Sequence, residues 1–176
     1  MLFEPAPLHD AYVIVPEVFS DPRGGFARTF CAREFEANAL TPFVAQCNLS
    51  FNYRRGTLRG MHYQMQPAAE AKLVRCTNGA IYDVIIDLRP DSETYLRHFG
   101  VELTAGNRRA LYVPEMFAHG YQALTNGAEV VYQVSTYYSP GLEKGIRYDE
   151  PRFGIAWPLP VTLISDKDAN WPPFCE

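Results

Sequence analysis

The feature that most constrains this chain is a series of short β-forming segments separated by turn residues. Runs rich in Val, Ile, Tyr, Phe and Thr alternate with Gly, Pro, Asn or Asp along nearly the whole sequence, which is the pattern of many strands joined by turns. The predicted strands are residues 11–15, 44–51, 57–63, 72–76, 80–87, 98–104, 109–113, 120–123 and 130–135. We therefore expect an all-β protein.

Turn and breaker residues refine this prediction. Asn-Gly pairs at residues 78–79 and 126–127 stand between predicted strands, and each predicts a hairpin with antiparallel neighbours because Asn and Gly tolerate positive φ. Residues 32–40 have a helical period, which predicts one short helix. Five prolines in residues 149–176 exclude a regular helix across that segment, and we expect it to pack as an extended lid or edge. A two-sheet jelly roll or small barrel fits this number of strands.

Length and charge exclude several classes of protein. A chain of 176 residues, 47% of them hydrophobic, is long enough for one well-packed core, so residues 1–176 are predicted to be a single domain. The net charge of -4 gives no electrostatic reason to bind nucleic acid or anionic lipid, and the apolar runs are too short for a membrane helix. Four cysteines without a CxxC pair, and no signal-peptide pattern, predict reduced thiols in the cytoplasm.

One predicted strand carries a polar set at period two, so these side chains point to one face. The face is either solvated, as is common in antiparallel sheets, or lines a polar ligand cavity. Arg59 and His62 in the next predicted strand favour the cavity, because polar groups then continue across neighbouring strands. The polar set consists of Gln46, Asn48, Ser50 and Asn52.

Two histidines stand in distinctive settings, His62 in GTLRGMHYQ and His119 in PEMFAHGYQ. A metal site on such a barrel needs a cluster of imidazoles and carboxylates. Gln64 stands where a second histidine would be, so we expect no metal. His62 can still act as a general base if Asp166 or Asp168 orients it, or it can be a hydrogen-bonded structural residue.

Three further side chains can each have either a structural or a functional role. Tyr132 and Tyr138 are either buried aromatics with a hydrogen-bonded hydroxyl or proton donors. Lys72 either reaches into a cavity or is solvated. The residue pattern leaves both interpretations open.

Eight motifs, taken together and in order, resemble one family. They are DPRGGF at 21–26, QCNLS at 46–50, GTLRGMHYQ at 56–64, KLVRCTNGAIYDVIIDLR at 72–89, PEMFAHGYQ at 114–122, YYSP at 137–140, GIAWP at 154–158 and SDKD at 165–168. The chain resembles the dTDP-4-dehydrorhamnose 3,5-epimerase family over nearly its whole length. LRGMHYQ with FAHG downstream is the most specific part of the resemblance.

The resemblance implies a cupin fold, that is, a double-stranded β-helix jelly roll with a few short helices. It implies a homodimer without metal or other cofactor, acting on a nucleotide-linked 4-keto-6-deoxy sugar, dTDP-linked by preference, on the way to dTDP-L-rhamnose. By matching motif positions, His62 is the base and Asp168 its orienting carboxylate. Tyr132 is the acid that returns a proton, and Lys72 stabilises the oxygen that gains negative charge.

The resemblance also implies the substrate contacts. Arginine suits a diphosphate because its planar fork bonds two oxygens at once, and Arg23 and Arg59 match the positions that do this work. The stretch of residues 23–30 is expected to cross to a second subunit. Arg28 stands where the family typically has a glutamate. The implied substrate-binding residues are Arg23, Phe26, Arg28, Gln46, Asn48, Arg59, His119, Tyr138, Glu143 and Lys167.

Three alternatives to a 3,5-epimerase stay open at this point. A relative within the class would invert a single carbon or move the ketone on a different nucleotide sugar. A metal-dependent cupin oxygenase would share the barrel and need an imidazole cluster. A non-catalytic sugar-nucleotide binder would keep the cleft and lose the chemistry.

Overall fold

The computed structural model describes residues 1–175, which form thirteen strands and two short helices. The strands are β1 (Leu2–Pro5), β2 (Tyr12–Val15), β3 (Val18–Asp21), β4 (Gly24–Ala27), β5 (Gln46–Asn52), β6 (Leu58–Gln64), β7 (Lys72–Asn78), β8 (Ala80–Asp87), β9 (His98–Thr104), β10 (Ala110–Val113), β11 (Phe117–Ala123), β12 (Ala128–Val134) and β13 (Glu143–Gly145). The helices are α1 (Ala32–Ala37) and α2 (Asp166–Ala169). Neither of these helices, the two within residues 1–175, is long and apolar enough to cross a membrane.

Eleven of the strands form two antiparallel sheets. The first has the order β1-β2-β10-β7-β12-β5 and the second the order β13-β6-β11-β8-β9. Strands β3 and β4 form a separate hairpin. The two sheets pack face to face, as in a jelly roll, so the predicted all-β fold is confirmed.

Apolar residues alternate along the central strands and bury both faces of each sheet. Val74 and Cys76 of the first sheet pack between the sheets with Ile81 and Ile85 of the second. The outer face of the first sheet is covered by α1, whose Phe35 is 1% exposed. The interior therefore consists of one core between the sheets and one apolar layer outside each sheet.

The proline-rich C-terminal segment covers the outer face of the second sheet. Ile146, Phe153 and Trp157 pack there against Val84 and Ile86. The backbone of residues 149–175 is largely irregular, as the prolines predict, and α2 forms in the stretch between Pro160 and Pro172. This segment brings α2 to strand β6, beside the cleft described below.

The two Asn-Gly pairs do make turns, but the prediction of hairpins is wrong at both. Gly79 and Gly127 have φ of 72° and 69°, the left-handed conformation that favours glycine. However, β7 and β8 lie in different sheets, and so do β11 and β12. Each turn is therefore an arch that carries the chain from one sheet to the other, because burial of both strands against the common core decides the pairing.

The predicted element boundaries differ from the observed ones in a few places. The helix predicted over residues 32–40 ends at Ala37, and Ala39 has a φ of 57° that a helix does not allow. The predicted strands correspond to β2 and β5–β12, with shifts of up to three residues at their ends. Five elements of four residues or fewer were not predicted from the sequence: β1, β3, β4, β13 and α2.

Candidate active site

A polar cleft lies between the two sheets. It has two lobes with volumes of about 270 Å³ and about 170 Å³. Because His62, Lys72 and Tyr132 line both lobes, we treat the lobes as one cleft. The other lining residues are Gln46, Asn48, Ser50, Arg59, Tyr63, Gln64, Glu70, His119, Gly120, Tyr121, Val134, Tyr138, Glu143 and Asp168.

The period-two polar set of β5 faces inwards. Gln46, Asn48 and Ser50 line the cleft and Asn52 is buried. The intervening apolar residues, such as Leu49, point to the outside instead. The cavity interpretation of this strand is therefore confirmed, and the interpretation as a solvated outer face is wrong.

His62 and Asp168 form a hydrogen-bonded pair in the cleft. His62 Nε2 lies 2.6 Å from Asp168 Oδ1, and the Gly60 N–H donates to Asp168 Oδ2 over 3.1 Å. Ser165 caps α2 by accepting the Asp168 N–H. Strand β6 holds His62 and helix α2 holds Asp168, so both partners are fixed. When Nε2 donates its hydrogen to Asp168, Nδ1 keeps a free lone pair and is the basic atom of the ring.

Asp168 is the acidic residue that the fold brings to His62. Of the two open candidates, Asp166 is exposed, whereas the Asp168 side chain is only 7% exposed. Burial alone would raise the pKa of Asp168, but the hydrogen bonds from His62 and Gly60 outweigh it and hold that pKa below its usual value. Asp168 is therefore ionised at neutral pH.

Lys72 and Tyr132 lie on the opposite wall, on the cavity face of the first sheet. Tyr132 pairs with Val74 and Val134 pairs with Lys72 in the β12–β7 register. Lys72 and Tyr132 are therefore diagonal neighbours on one face of the sheet. The fold thus sets an imidazole on one wall of the cleft against an ammonium and a phenol on the other.

Lys72 is buried and Tyr132 is half-buried. The Lys72 side chain is 8% exposed, and its Nζ lies 3.2 Å from Glu70 Oε1. Burial raises the pKa of Tyr132, and the nearby Tyr121 and Glu70 raise it further. Tyr132 is therefore a protonated phenol at neutral pH, able to donate its proton.

A second histidine–carboxylate pair lies next to the first. His119 is directly opposite His62 in the β11–β6 register, and its Nε2 is 2.7 Å from Asp83 Oδ1. The Asp83 side chain is fully buried and the His119 side chain is 10% exposed. His119 is thus held in orientation by a carboxylate, and it lines the cleft.

The rim of the cleft carries further polar groups. At one end Arg59 Nε donates to Asn52 Oδ1 over 2.9 Å. At the other end Glu143 pairs with Lys167 and accepts a hydrogen bond from the Tyr138 hydroxyl. Of the fourteen residues expected to form the site, the chain brings eleven together at this cleft, counting Lys167 through its ion pair with Glu143.

Arg23, Phe26 and Arg28 are the three expected site residues that do not reach the cleft of their own chain. Arg23 and Phe26 lie on the β3–β4 hairpin and Arg28 directly follows it. Arg23 pairs with Asp21, two residues earlier, and the Phe26 side chain is exposed. In a single chain these residues therefore form a surface apart from the cleft.

Four residues that shape the site were not predicted from the sequence, Glu70, Asp83, Tyr121 and Trp171. Asp83 interrupts the apolar run of β8, and a carboxylate inside a buried strand is a signal that could have found it. The Trp171 ring lies edge-on to the His62 ring, with centroids 6.3 Å apart. Glu70 contacts Gln64 and Lys72, which are near it in the chain, but a glutamate beside a lysine is also common on a surface. Nothing local in the sequence marks Trp171, because its contact with His62 joins distant parts of the chain.

No group of three or more His, Cys, Asp or Glu side chains that could hold a metal ion occurs within residues 1–175. The histidines in the cleft are paired with carboxylates, His62 with Asp168 and His119 with Asp83.

Comparisons with known proteins show the family to which this chain belongs. The model of the dTDP-4-dehydrorhamnose 3,5-epimerase family matches residues 5–176. A dTDP-4-dehydrorhamnose 3,5-epimerase of Methanothermobacter thermautotrophicus is 43% identical over 172 residues, covering 96% of this chain and 92% of the relative. The match therefore extends over almost all of both proteins.

Solved structures give the same result. The dTDP-4-dehydrorhamnose 3,5-epimerase of Bacillus anthracis, with TDP and PPi bound, has a TM-score of 0.95 at 37% identity, covering 98% of this chain and 99% of that one. A 3′-monoepimerase of Streptomyces bikiniensis, in complex with dTDP-quinovose, has a TM-score of 0.87 at 35% identity, covering 96% and 86%. This chain belongs to the dTDP-4-dehydrorhamnose 3,5-epimerase family.

Proposed function

We propose that the protein is an isomerase that inverts carbons 3 and 5 of dTDP-4-dehydro-6-deoxy-D-glucose, giving dTDP-4-dehydro-L-rhamnose. The observation that carries this proposal is the His62–Asp168 pair, at 2.6 Å, on the wall of a cleft whose opposite wall carries Lys72 and Tyr132. Membership of the family supports the same activity.

The chemistry of a 4-keto sugar explains why a base and an acid should stand on opposite walls. The ketone acidifies the hydrogens on the two neighbouring carbons. His62 takes a proton from one of these carbons, the C–H electron pair forms an enolate, and the C4 oxygen gains the negative charge. A proton delivered to the other face of that carbon restores the ketone with inverted configuration.

His62 suits the role of the base because Asp168 orients it and stabilises the imidazolium that forms. Asp168 is 7% exposed and already ionised, so the positive charge on His62 meets a fixed negative partner. A positioned base of this kind contributes roughly 10²–10⁴-fold in rate. Proton transfer alone is therefore insufficient, and charge stabilisation must supply the rest.

Lys72 is the group proposed to supply that stabilisation. Its ammonium is withdrawn from solvent in the cleft, where an interaction with an enolate oxygen is less screened than in water. Because the ammonium is already in place, little reorganisation accompanies the reaction. Tyr132 returns the proton from its own wall, and the phenolate is then reprotonated from solvent or from the imidazolium.

The nucleotide is proposed to bind along the rim of the cleft. Arg59 supplies a guanidinium for the diphosphate, and His119, Gln46 and Asn48 offer hydrogen bonds on the inner walls. At the far rim Tyr138, Glu143 and Lys167 form a polar group held together by the Glu143 carboxylate. A TDP-bound relative supports a thymidine nucleotide as the carrier.

We further infer that the protein works as a homodimer. The β3–β4 hairpin exposes Phe19 and Phe26, 69% and 67% exposed, and edge strand β5 exposes Leu49 and Phe51, 58% and 51% exposed. Apolar surface on an edge strand and on a projecting hairpin is typical of an interface. A second copy seated there would bring Arg23, with Phe26 and Arg28, to the cleft of its partner.

The location proposed for the protein is the cytoplasm. Cys31, Cys47, Cys76 and Cys175 are all free thiols. Free cysteines are typical of a reducing compartment such as the cytoplasm.

The test of the proposed function is product analysis in heavy water. The wild-type protein is incubated with dTDP-4-dehydro-6-deoxy-D-glucose in D₂O, and the sugar is followed by NMR. We expect deuterium at both carbon 3 and carbon 5, together with the coupling constants of the L-rhamno configuration. The proposal fails if the sugar keeps both its hydrogens and its configuration at any enzyme concentration.

A single-centre epimerase is the second candidate, because a 3′-monoepimerase shares the fold at 35% identity. The same experiment separates the two candidates. A monoepimerase places deuterium at carbon 3 with inversion there, and leaves the configuration at carbon 5 unchanged.

A further inference from the structure

Glu70 is a carboxylate in the cleft that the proposed chemistry does not use. It lies in the segment before β7, two residues from Lys72, and its side chain is 12% exposed. Glu70 Oε1 lies 3.2 Å from Lys72 Nζ. A carboxylate so far withdrawn from water is costly unless it is paired and hydrogen-bonded, so this contact needs an explanation beyond a solvated surface charge.

The other oxygen of Glu70 is fixed from the second sheet. The amide nitrogen of Gln64, which is 3% exposed, donates to Glu70 Oε2 over 3.2 Å and to the Ala68 carbonyl over 3.1 Å. The Gln64 amide oxygen accepts the Ser139 N–H over 2.8 Å. Because Gln64 is held on both sides, it fixes the Glu70 carboxylate and, through that carboxylate, the Lys72 ammonium.

Gln64 and His62 are two residues apart on the same strand, β6, and both line the cleft. The contacts Gln64–Glu70–Lys72 therefore form a bridge from the strand of the base to the strand of the ammonium. Such a bridge sets the position of the ammonium relative to the imidazole across the cleft.

We propose that Glu70 is a positioning residue, whose carboxylate holds the Lys72 ammonium at the cleft wall and whose charge acts on the neighbouring Tyr132 phenol. The inference deepens the proposed function and rests on it for the roles of Lys72 and Tyr132. Glu70 itself does not exchange a proton with the substrate.

The charges around Tyr132 determine in which direction its pKa should shift when Glu70 loses its charge. Burial raises the pKa of the Tyr132 phenol, Tyr121, Glu70 and Glu143 raise it further, and Arg59 lowers it. The cleft also contains His62, Lys72, His119 and Asp168. Removing the Glu70 charge takes away a negative neighbour and leaves the Lys72 charge uncompensated. Both effects favour the phenolate, so both should lower the pKa of Tyr132.

The variants for the test are Glu70→Gln and Glu70→Asp. Glu70→Gln keeps the size of the side chain and removes its charge. Glu70→Asp keeps the charge and shortens the side chain, which draws the carboxylate away from Lys72. Glu102→Gln serves as the matched control, because it removes one negative charge from an exposed position of β9.

The measurement is an NMR titration of protein labelled with ¹³Cζ-tyrosine, in which Tyr132→Phe identifies the signal of Tyr132. We expect Glu70→Gln to lower the titration midpoint of Tyr132 by roughly 0.5–1 pH unit, and Glu102→Gln to leave it in place. Glu70→Asp should keep a midpoint close to that of the wild type. A midpoint unchanged in Glu70→Gln would overturn the electrostatic half of the inference.

Turnover supplies the second readout. In Glu70→Gln the alkaline limb of the kcat/KM profile should move to lower pH with the Tyr132 midpoint. In Glu70→Asp kcat should fall about tenfold or more, because the ammonium is misplaced, while KM changes little. Full kcat in Glu70→Asp would overturn the positioning half. The titration does not depend on turnover, so it still decides the effect of Glu70 on Tyr132 if the wild type proves not to be an epimerase.

Discussion

At the scale of single residues, the site depends on an imidazole and a carboxylate that lie 106 positions apart in the chain. The motif around His62 identifies a special histidine, but the residue pattern alone leaves Asp166 and Asp168 as equal candidates for its partner. Only the fold, through α2 and its Ser165 cap, turns Asp168 inwards. The resemblance to the family had already implied Asp168 as the partner, by the position of the motif SDKD.

The Asp168 carboxylate predicts a dependence of stability on pH. Its pKa is held below the usual value in the folded protein, so its contribution is fully present above pH ~4, the pKa of an unfolded Asp. The contribution is lost as the pH falls through the lowered folded value. We expect the stability difference between the wild type and Asp168→Asn, from urea unfolding, to shrink as the pH is lowered from 6 towards 3. A constant difference over this range would contradict the pairing.

Tyr132→Phe tests whether His62 removes the proton from one wall of the cleft and Tyr132 returns it from the other. With the phenol gone, His62 can still remove a proton and return a deuteron from its own wall. We expect solvent deuterium to enter the substrate with retained configuration, while inversion falls by roughly 10²–10⁴-fold. NMR in D₂O measures exchange and inversion together. Loss of both to the same extent would place Tyr132 in some other role.

At the scale of elements, the two arches show that local sequence predicts a turn but does not predict which strands pair. Asn78–Gly79 and Asn126–Gly127 predict chain reversals, and reversals occur at both. Which strands pair is decided by the apolar faces that meet in the core, such as Val74 against Ile85. That contact is not local, so a turn motif cannot specify it.

The two arches also provide a matched pair of variants. Alanine at Gly127 meets only the strain of positive φ, since the nearest atom to an added Cβ is 3.8 Å away. At Gly79 an added Cβ also collides with the hydroxyl of Thr125, which accepts the Ala80 N–H over 3.0 Å. We expect Gly127→Ala to cost about 1 kcal/mol and Gly79→Ala about 1 kcal/mol more. Urea unfolding of both variants gives the comparison, and equal losses would argue against the Thr125 contact.

At the scale of the whole molecule, the sequence predicted the two-sheet fold because alternating apolar residues and frequent turns leave few other ways to bury both faces. It also predicted most of the cleft, through the period-two polar set of β5 and the motif positions that match the family. Glu70 escaped notice, since a glutamate beside a lysine is ordinary on a surface. The hairpin residues Arg23 and Phe26 cannot be assigned to a cleft from one chain, because their exposed side chains have no partner surface within it.

The dimer is tested by a charge placed on the exposed face of β5. Leu49→Lys puts an ammonium where apolar side chains are exposed, and it should convert a dimer to a monomer in analytical ultracentrifugation. Phe43→Ser, at an exposed aromatic position outside both strand β5 and the β3–β4 hairpin, is the control and should stay dimeric. If the hairpin completes the partner's cleft, the monomer should also bind dTDP at least tenfold more weakly. A wild-type monomer in solution would contradict the proposed assembly.

The most direct measurement of the central claim compares His62→Asn with the wild type for binding and exchange on the same sample. The asparagine keeps a polar group near the position of Nδ1 but has no basic nitrogen. We predict that dTDP binding by calorimetry stays within about threefold of the wild type, while deuterium incorporation next to the ketone falls by roughly 10²–10⁴-fold. Exchange at the wild-type rate, with binding intact, would show that another group removes the proton.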